Sequence, residues 1–427
     1  MTAEVVIMNT VGVAMAADSA VTIGNNASKI FTSTDKLFQL STADPVAIMT
    51  FQNAALLGVP WETIVKQYRD AQGRREFTTV EEHAKSFLRF ISRNRSMFPV
   101  PVQNDGIVHI LGRSFLQFRD SWLKPALDAH SKDKDLKATD IAQIARVVLK
   151  GAREVLRTQS QRLPGFGAER AARIAARYRP QARRILKEVF GTLPLDDATK
   201  GGLVQYALDR LSRSAFTNGF TGVVFAGFGS RQHLPSLVAY QIEGFAGGRL
   251  RAGPPQHSRI EQLGSTASII PFAQKEAVEA FMEGVDRDLK ERFGKEVRTA
   301  ITQVGESLVN AIKKKNPKLS AEMKKVLEQG VPRVMEALDK NWDKLSESHW
   351  RPITEIVHTL PKDELAAMAE SLVNLTKFKR RITPKKETVG GPIDVAVITR
   401  GDGFVWIKRK HYFDPNLNPR AMSKFRA

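Results

Sequence analysis

The chain of 427 residues contains no cysteine. Disulfide bonds, thiolate metal sites and a cysteine nucleophile are therefore excluded. No apolar run approaches the roughly 20 residues that a membrane-spanning helix needs. Residues 1–20 also lack the basic leader and apolar stretch of a secretory signal. These absences predict a cytoplasmic protein without a membrane segment.

Several signatures of catalytic and metal sites are missing as well. The eight histidines show no spacing typical of a zinc site. No Gly-x-Ser-x-Gly nucleophile elbow is present, and residues 227–229 hold only a fragment of a phosphate-binding loop. The sequence therefore predicts neither a metal nor a cofactor.

Positive charge is in excess, with 65 lysines and arginines against 45 acidic residues and a net charge of +20. Such an excess favours nucleic acid or another acidic partner. Solvated faces on long helices are the commoner explanation. Because no nucleic-acid recognition motif accompanies the charge, a nucleic acid or acidic partner is a secondary hypothesis.

The first residues predict a β-hairpin that brings functional groups together. Two apolar runs, 5–7 and 13–17, flank a short turn. A hairpin made of these runs returns Asp18 to the neighbourhood of Thr2, and Lys36 begins a third predicted strand. Taken singly, Asp18 is typical of a hydrogen-bonding strand end and Lys36 of a surface charge.

Thr2 directly follows Met1, and a small second residue normally permits removal of the initiator methionine. Removal would leave a hydroxyl and a free α-amine on one residue, which is the activation arrangement of a threonine hydrolase. An α-amine has a pKa of about 7.7–8.0, and a nearby ammonium lowers it. Lys36 is the candidate for that ammonium, and Asp18 would keep it charged and oriented.

Further motifs follow in an order that supports this reading. The segments concerned are 12–19, 22–24, 35–37, 225–229, 235–237, 264–265 and 390–395. Together they resemble the proteasome β-subunit family and its bacterial proteasome-like relatives, over about half of the chain. The resemblance implies an N-terminal nucleophile hydrolase in which Thr2 is the nucleophile, Asp18 the buried aspartate and Lys36 the catalytic lysine.

The resemblance also implies supporting groups around the nucleophile. Ser265 matches a serine-bearing turn before a helix, and is either an auxiliary hydroxyl near Thr2 or an ordinary turn serine. Backbone amides near 51–53 would stabilise the oxyanion. The chain departs from the family here, because residues 50–54 contain no glycine where the family usually has one.

The fold implied by the resemblance is α+β, a four-layer αββα sandwich of two antiparallel sheets between helices, with two large helical insertions. The predicted segments are a core at 2–96, 216–294 and 361–413, insertions at 97–215 and 295–360, and a flexible tail at 414–427. Apolar spacing predicts helices at 53–69 and 79–93 and a strand at 107–111. Residues 272–375 are predicted as helices separated by Pro317, Pro332, Pro352 and Pro361.

The sequence thus favours a threonine peptidase that cleaves polypeptides and works as a homo-oligomeric ring, with an ATP-dependent unfoldase as a candidate partner. One alternative is a catalytically inactive proteasome-like scaffold whose basic helical insertions bind protein partners or nucleic acid. Another is an amidohydrolase that acts on a small amide with the same machinery.

Overall fold

The computed structural model describes residues 2–23, 29–131, 136–383, 389–420 and 422. Met1, Gly24 of the second matching segment, and residues 421 and 423–427 of the predicted tail lie outside the described residues. The chain divides into two compact units. The first comprises Met1–Ser33, Ile260–Val397 and Trp406–Ala427, and the second comprises Thr34–Arg259 and Ile398–Val405.

Strands and helices alternate in blocks along the chain. The strands are β1 (Ala3–Asn9), β2 (Gly12–Asp18), β3 (Val21–Ile23), β4 (Lys29–Phe31), β5 (Leu37–Gln39), β6 (Val46–Phe51), β7 (Ala55–Leu56), β8 (Val59–Pro60), β9 (Thr221–Gly227), β10 (Ser236–Ala246), β11 (Arg249–Ala252), β12 (Gln256–Arg259), β13 (Ala267–Ala273), β14 (Ile393–Thr399) and β15 (Gly403–Lys408). The helices are α1 (Trp61–Gln72), α2 (Val80–Arg93), α3 (Val100–Phe118), α4 (Lys124–His130), α5 (Ala138–Gln159), α6 (Ala168–Phe190), α7 (Asp197–Arg210), α8 (Glu276–Glu283), α9 (Arg287–Lys313), α10 (Pro317–Thr359) and α11 (Lys362–Ile382). A π-helical turn, Arg119–Leu123, joins α3 to α4. Within the described ranges, no helix combines the length and apolar character needed to cross a bilayer.

The first unit is built on a five-stranded sheet in the order β13-β1-β2-β14-β15. β1 pairs antiparallel with β13 on one side and with β2 on the other. Side chains alternate between the two faces of a strand, so Ala3, Val5 and Ile7 of β1 share one face and pack in a core with residues of α8, α10 and α11. Val6 and Met8, on the opposite face, are also buried.

The second unit contains a sheet in the order β11-β10-β9-β6-β5, with β12 paired to β10. Helices α1 and α2 pack on this sheet through aromatic side chains. The ring of Phe87 lies 5.5 Å from that of Phe225 on β9 and 6.4 Å from that of Trp61. Buried beside this core, the His83 Nε2 atom lies 2.8 Å from a carboxylate oxygen of Asp44.

Helices α3, α5, α6 and α7 enclose a further apolar core in the second unit. A fully buried guanidinium joins this part to the sheet: Arg251 of β11 donates to the Glu243 carboxylate at 2.7 Å and to the carbonyl of Leu211 at 2.9 Å. Burial lowers the pKa of Arg251, and the Glu243 carboxylate opposes that shift. Glu243 also accepts hydrogen bonds from the backbone N–H and the hydroxyl of Thr217.

The predicted α+β class with antiparallel sheets and helices is confirmed, and its composition is consistent with a sandwich fold. The opening hairpin is present as β1–β2, and the strand predicted at Lys36 begins one residue later as β5. Helices α3–α7 and α9–α10 occupy most of 97–215 and 295–360. That these segments are insertions remains a prediction.

Two local predictions are wrong. Residues 107–111 form part of α3 and not a strand, because Ile107, Leu111 and Phe115 recur every four residues and face the helical core. The helix predicted from residue 53 begins only at Trp61, since residues 55–60 form the short hairpin β7–β8. The first prediction failed because the β-branched residues in 107–111 are typical of strands. The second failed because the turn between β7 and β8 was not recognised.

The prolines of the long helical region act differently from one another. Pro317 lies in the first turn of α10 and Pro361 is the N-cap of α11, as predicted for helix boundaries. Pro332 and Pro352 lie inside α10, so the predicted breaks there are wrong. A proline leaves the carbonyl four residues earlier without its helical donor. α10 is exposed along nearly all its length, so water can satisfy that carbonyl.

Candidate functional site

The peptide unit between Thr2 and Ala3 is held on both sides. Its carbonyl, on Thr2, accepts the N–H of Gln274 at 3.1 Å. Its N–H, on Ala3, donates to Oδ1 of Asp18 at 3.1 Å. Thr2, Ala3, Asp18 and Gln274 are all buried. Because both polar groups of this peptide are paired, its plane is fixed, and with it the backbone position of Thr2.

Asp18 ends β2 and ties it to the loop before β14. Its second oxygen, Oδ2, accepts the N–H of Gly390 at 3.0 Å and that of Ala20 at 3.3 Å. The next residue, Ser19, donates its hydroxyl to the Pro392 carbonyl at 2.6 Å. Asp18 is therefore a buried acceptor for three backbone donors, and the prediction that the hairpin returns it to Thr2 is confirmed.

Lys36 belongs to the second unit and is described within it. Its side chain is buried, and its carbonyl accepts the N–H of Thr50 at 2.8 Å. The following residue, Leu37, opens β5 and pairs with Met49 of β6. The sheet therefore fixes the backbone of Lys36, and a buried position is not that of an ordinary surface lysine.

The segment predicted to supply oxyanion amides follows β6. Gln52 has a φ of +77°, in the left-handed region that glycine enters without strain. The N–H of Asn53 donates to the Phe51 carbonyl at 3.2 Å, so that amide already has an acceptor. The backbone of Gln52 thus adopts a conformation that is typical of glycine.

Ser265 does not lie beside Thr2. Its hydroxyl donates to the carbonyl of Ala267, the first residue of β13, and Ala267 pairs with Asn9 at the far end of β1. At roughly 3.4 Å per residue the length of β1 separates the two ends by about 20 Å. Ser265 also precedes a strand and not a helix, so its predicted auxiliary role is wrong.

Gln274 is the residue that the sequence reasoning missed. It follows β13, lies next to Thr2 through its backbone, and precedes α8. Its neighbour Ala273 has a φ of +59°, a left-handed conformation that costs a residue with a β-carbon about 1–3 kcal/mol. Strained backbone of this kind concentrates at functional positions. Because the sequence predicts a helix from residue 272, which covers the end of β13, it does not indicate this backbone conformation.

No family model and no curated protein matches this chain. Across the described residues, no group of three or more histidine, aspartate or glutamate side chains could hold a metal ion. A solved structure, the Anbu (Gly-1) mutant from Hyphomicrobium sp. strain MC1, is similar at a TM-score of 0.31 and 11% identity, covering 100% of this chain and 95% of that one. The similarity is weak.

Proposed function

We propose that this chain is a threonine peptidase of the N-terminal nucleophile type, with Thr2 as the nucleophile once Met1 has been removed. One observation supports it most directly: the Thr2–Ala3 peptide is fixed by Asp18 and Gln274 in a buried position. A nucleophile needs a backbone that holds its hydroxyl and amine in one orientation.

In the proposed reaction the Thr2 hydroxyl attacks the carbonyl carbon of a substrate peptide bond. The free α-amine of Thr2 takes the hydroxyl proton and passes it to the departing amine, as the carbon–nitrogen bond breaks. This leaves an ester on Thr2, which water hydrolyses after giving a proton to the same amine. In this scheme Lys36 lowers the pKa of the amine, and Asp18 positions the Thr2 backbone.

The test starts from a chain whose first residue is known. A ubiquitin fusion, cut by a deubiquitinating protease, releases a chain that begins at Thr2. We expect this chain to hydrolyse fluorogenic peptides and to acquire one peptide vinyl-sulfone adduct, mapped to Thr2 by mass spectrometry. A second preparation that keeps Met1 should do neither.

Four variants complete the test. Thr2→Ala and Lys36→Ala should abolish hydrolysis, whereas Thr2→Ser keeps a hydroxyl nucleophile and should retain part of it. Lys66→Ala is the matched control, because Lys66 is a partly exposed lysine whose ammonium pairs with Glu62 one turn earlier on its own helix. Hydrolysis that survives Thr2→Ala would overturn the proposal. Cleavage of small amides but of no peptide would favour an amidohydrolase with the same nucleophile.

The same proposal includes polypeptide substrates, a homo-oligomeric ring and an ATP-dependent unfoldase that feeds it. Native mass spectrometry of the chain beginning at Thr2 measures the number of copies in the assembly. A proteasome-like chamber predicts that folded substrates resist cleavage until an unfoldase is added, while short peptides do not.

A second candidate is a catalytically silent scaffold that binds nucleic acid, and one surface favours it. Four cations recur on α5 at i, i+4, i+7 and i+11, and they border a groove of about 570 Å³ between α5 and α7. They are Arg146, Lys150, Arg153 and Arg157. Arg146 is held by Asp196 at 2.7 Å and lowers the pKa of that carboxyl to about 2.

Binding of labelled DNA, followed by fluorescence anisotropy over a range of salt, tests the scaffold. Neutralising four phosphates predicts a slope of log affinity against log salt of about −3.6. Lys150→Glu with Arg153→Glu should abolish binding, and Arg184→Glu with Lys187→Glu on α6 serves as the matched control. Equal losses in both pairs would mean that no groove is involved.

A further inference from the structure

A cleft opens at the surface between α1 and α2, within the second unit. Three arginines line it: Arg75 follows α1, and Arg89 and Arg93 lie one turn apart on α2. We call it the arginine cleft. Its volume is about 290 Å³, and none of its lining side chains is a carboxylate. The larger groove between α5 and α7, in contrast, includes Glu154 and Asp209 in its lining.

The positive charge of the arginine cleft is not neutralised by neighbouring side chains. Within the part of the chain that the structure describes, no carboxylate forms an ion pair with Arg75, Arg89 or Arg93. Lys85, one turn before Arg89, does pair with Glu81 at 2.8 Å. Arg89 and Arg93 are themselves four residues apart, a spacing at which like charges repel each other. The cleft therefore gathers three cations whose counter-charge the chain does not supply.

Aromatic packing fixes Tyr68 against the cleft. Its ring lies 5.0 Å from that of Phe87 and 5.4 Å from that of Phe90, edge-on in both cases. Tyr68 lines the cleft and is only 3% exposed. These contacts involve the ring alone and would be the same for a phenylalanine, so packing gives no reason for the hydroxyl.

The Tyr68 hydroxyl is buried and makes no hydrogen bond. Burial raises the pKa of Tyr68 above its ordinary value near 10, so the group keeps its proton at neutral pH. Ser86, Arg75 and Arg89 lower that pKa to a smaller extent, and Ser86 stands outside hydrogen-bond geometry. Because these three residues also line the cleft, the hydroxyl is a donor on the cleft side of the ring. A buried donor without an acceptor is costly, and an anion in the cleft would supply the acceptor.

Gln72 contributes a second unsatisfied atom to the same cleft. It is the last residue of α1, and its Nε2 donates to the Arg75 carbonyl at 3.0 Å. Since that bond identifies the amide nitrogen, the other amide atom is the oxygen Oε1, which is buried and makes no hydrogen bond. An amide oxygen can only accept. Its missing partner is therefore a hydroxyl or an amine.

These groups define a ligand by its chemistry. Guanidinium groups bind oxyanions through paired hydrogen bonds. A phosphate monoester carries a charge of about −1.5 to −2 at neutral pH and three terminal oxygens, which suits three arginines and the Tyr68 donor better than a single carboxylate does. The Gln72 acceptor requires a hydroxyl or amine on the same molecule. Ligand cavities usually begin near about 300 Å³, so the cleft suits a small molecule.

We propose that the arginine cleft binds a small, hydroxylated phosphate monoester, with the three arginines on the phosphate and Gln72 Oε1 on a hydroxyl of the ligand. Tyr68 donates its hydroxyl to a phosphate oxygen. The arginine side chains are exposed and held by no ion pair among the described residues, so they can rearrange around the ligand and give it access to this hydroxyl. The proposal does not depend on the proposed peptidase activity, because every group lies on α1, α2 or the turn between them.

Ribose 5-phosphate is the probe, titrated into the full chain by isothermal titration calorimetry. We expect one saturable site per chain. Arg89→Gln combined with Arg93→Gln should weaken binding about a hundredfold, because two charged hydrogen-bond donors are lost. Arg183→Gln with Lys187→Gln is the matched control, since it removes the same charge at the same spacing on an exposed part of α6. No saturable binding to wild type, or equal losses in both pairs, would overturn the proposal.

Tyr68→Phe keeps the ring contacts and separates the site from the fold. Without ligand this variant should melt at the same temperature as wild type or higher, because an unsatisfied buried hydroxyl is removed. It should bind ribose 5-phosphate about tenfold more weakly, since a hydrogen bond to a charged group is lost. A lower melting temperature or an unchanged affinity would contradict the role given to the hydroxyl.

Two further ligands distinguish the kinds of phosphate. Inorganic phosphate has no hydroxylated carbon frame to reach Gln72 and should bind about tenfold more weakly than ribose 5-phosphate. A short single-stranded DNA without terminal phosphates offers only diesters and should not displace ribose 5-phosphate. Equal affinity for inorganic phosphate, or displacement by the DNA, would overturn the assignment to a monoester.

Discussion

The Oδ1 atom of Asp18 lies 3.1 Å from the backbone nitrogen of Ala3, so a carboxylate at the end of β2 fixes the start of β1. The same side chain accepts the N–H groups of Ala20 and Gly390. Asp18→Asn replaces one acceptor oxygen by a donor that faces other donors. We expect the free energy of unfolding to fall by ~1–3 kcal/mol and peptide hydrolysis to be lost.

Chemical denaturation and the fluorogenic assay measure the two effects of Asp18→Asn. Asp105→Asn is the control, because Asp105 is exposed on α3 and pairs only with His109. If Asp18→Asn were as stable as this control, the carboxylate would not be needed to hold the Thr2–Ala3 peptide.

Gly391 precedes β14 and has a φ of +75°. A β-carbon there would lie 2.7 Å from the Thr32 carbonyl oxygen, which is too close for any side chain. Gly391→Ala should therefore lower the free energy of unfolding by ~1–3 kcal/mol. Gly390→Ala, one residue earlier, meets nothing within 4 Å and should stay within about 0.5 kcal/mol of wild type. Thermal denaturation compares the two, and equal midpoints would contradict the close contact.

The buried pair of Arg251 and Glu243 should be sensitive to loss of either partner. Arg251→Met leaves the Glu243 carboxylate buried without its cation, and we expect a loss of about 3–5 kcal/mol. The double variant Arg251→Met with Glu243→Leu removes both charges and should recover part of that loss. Urea unfolding of the two singles and the double gives the coupling energy. Purely additive losses would mean that the two groups do not stabilise each other.

His83 should make the stability of the fold depend on pH. Burial lowers the pKa of His83 from its ordinary value near 6.5, while the Asp44 and Glu82 carboxylates oppose the shift. The unfolded chain therefore takes up a proton at this residue as the pH falls through about 6.5, before the folded chain does. The stabilisation is complete above that pH and is lost as the pH falls towards the pKa of the folded state.

Denaturation at pH 7.5, 6.5 and 5.5 measures this dependence. Each unit by which the pKa of His83 is lower in the folded than in the unfolded chain corresponds to about 1.4 kcal/mol in the free energy of unfolding. His83→Gln should flatten the decline below pH 6.5, whereas His109→Gln, on an exposed residue, should not. An unchanged decline in His83→Gln would assign the pH dependence to other groups.

The sequence predicts the opening of the fold well because the information is local. Two short apolar runs around a turn specify β1 and β2, and their pairing alone brings Asp18 to Ala3. The partner on the other side of β1 could not be predicted in this way. β13 is more than 250 residues away along the chain, and Pro271 within it is untypical of a strand. Pro271 is tolerated because β13 is an edge strand, where a missing N–H removes no ladder bond.

Because the pairing of β13 with β1 could not be predicted, Ser265 was wrongly placed near Thr2. The pair Gly264-Ser265 before an apolar run matches the serine-bearing turn by residue type alone. Only the register of β13 against β1 shows that this pair lies beside the end of β1 that is far from Thr2. Gln274, which lies at the end of β13 next to Thr2, is not part of any recognisable sequence motif. Long-range register depends on burial summed over both strands, which a reading of one segment at a time does not contain.

The left-handed backbone of Ala273 allows the relation between thermal stability and turnover rate to be measured directly. Ala273→Gly would relieve the strain without touching any proposed reactive group, so the chain should melt at a higher temperature. A lower turnover rate in this more stable variant would show that the strained backbone beside Thr2 reduces stability but supports catalysis.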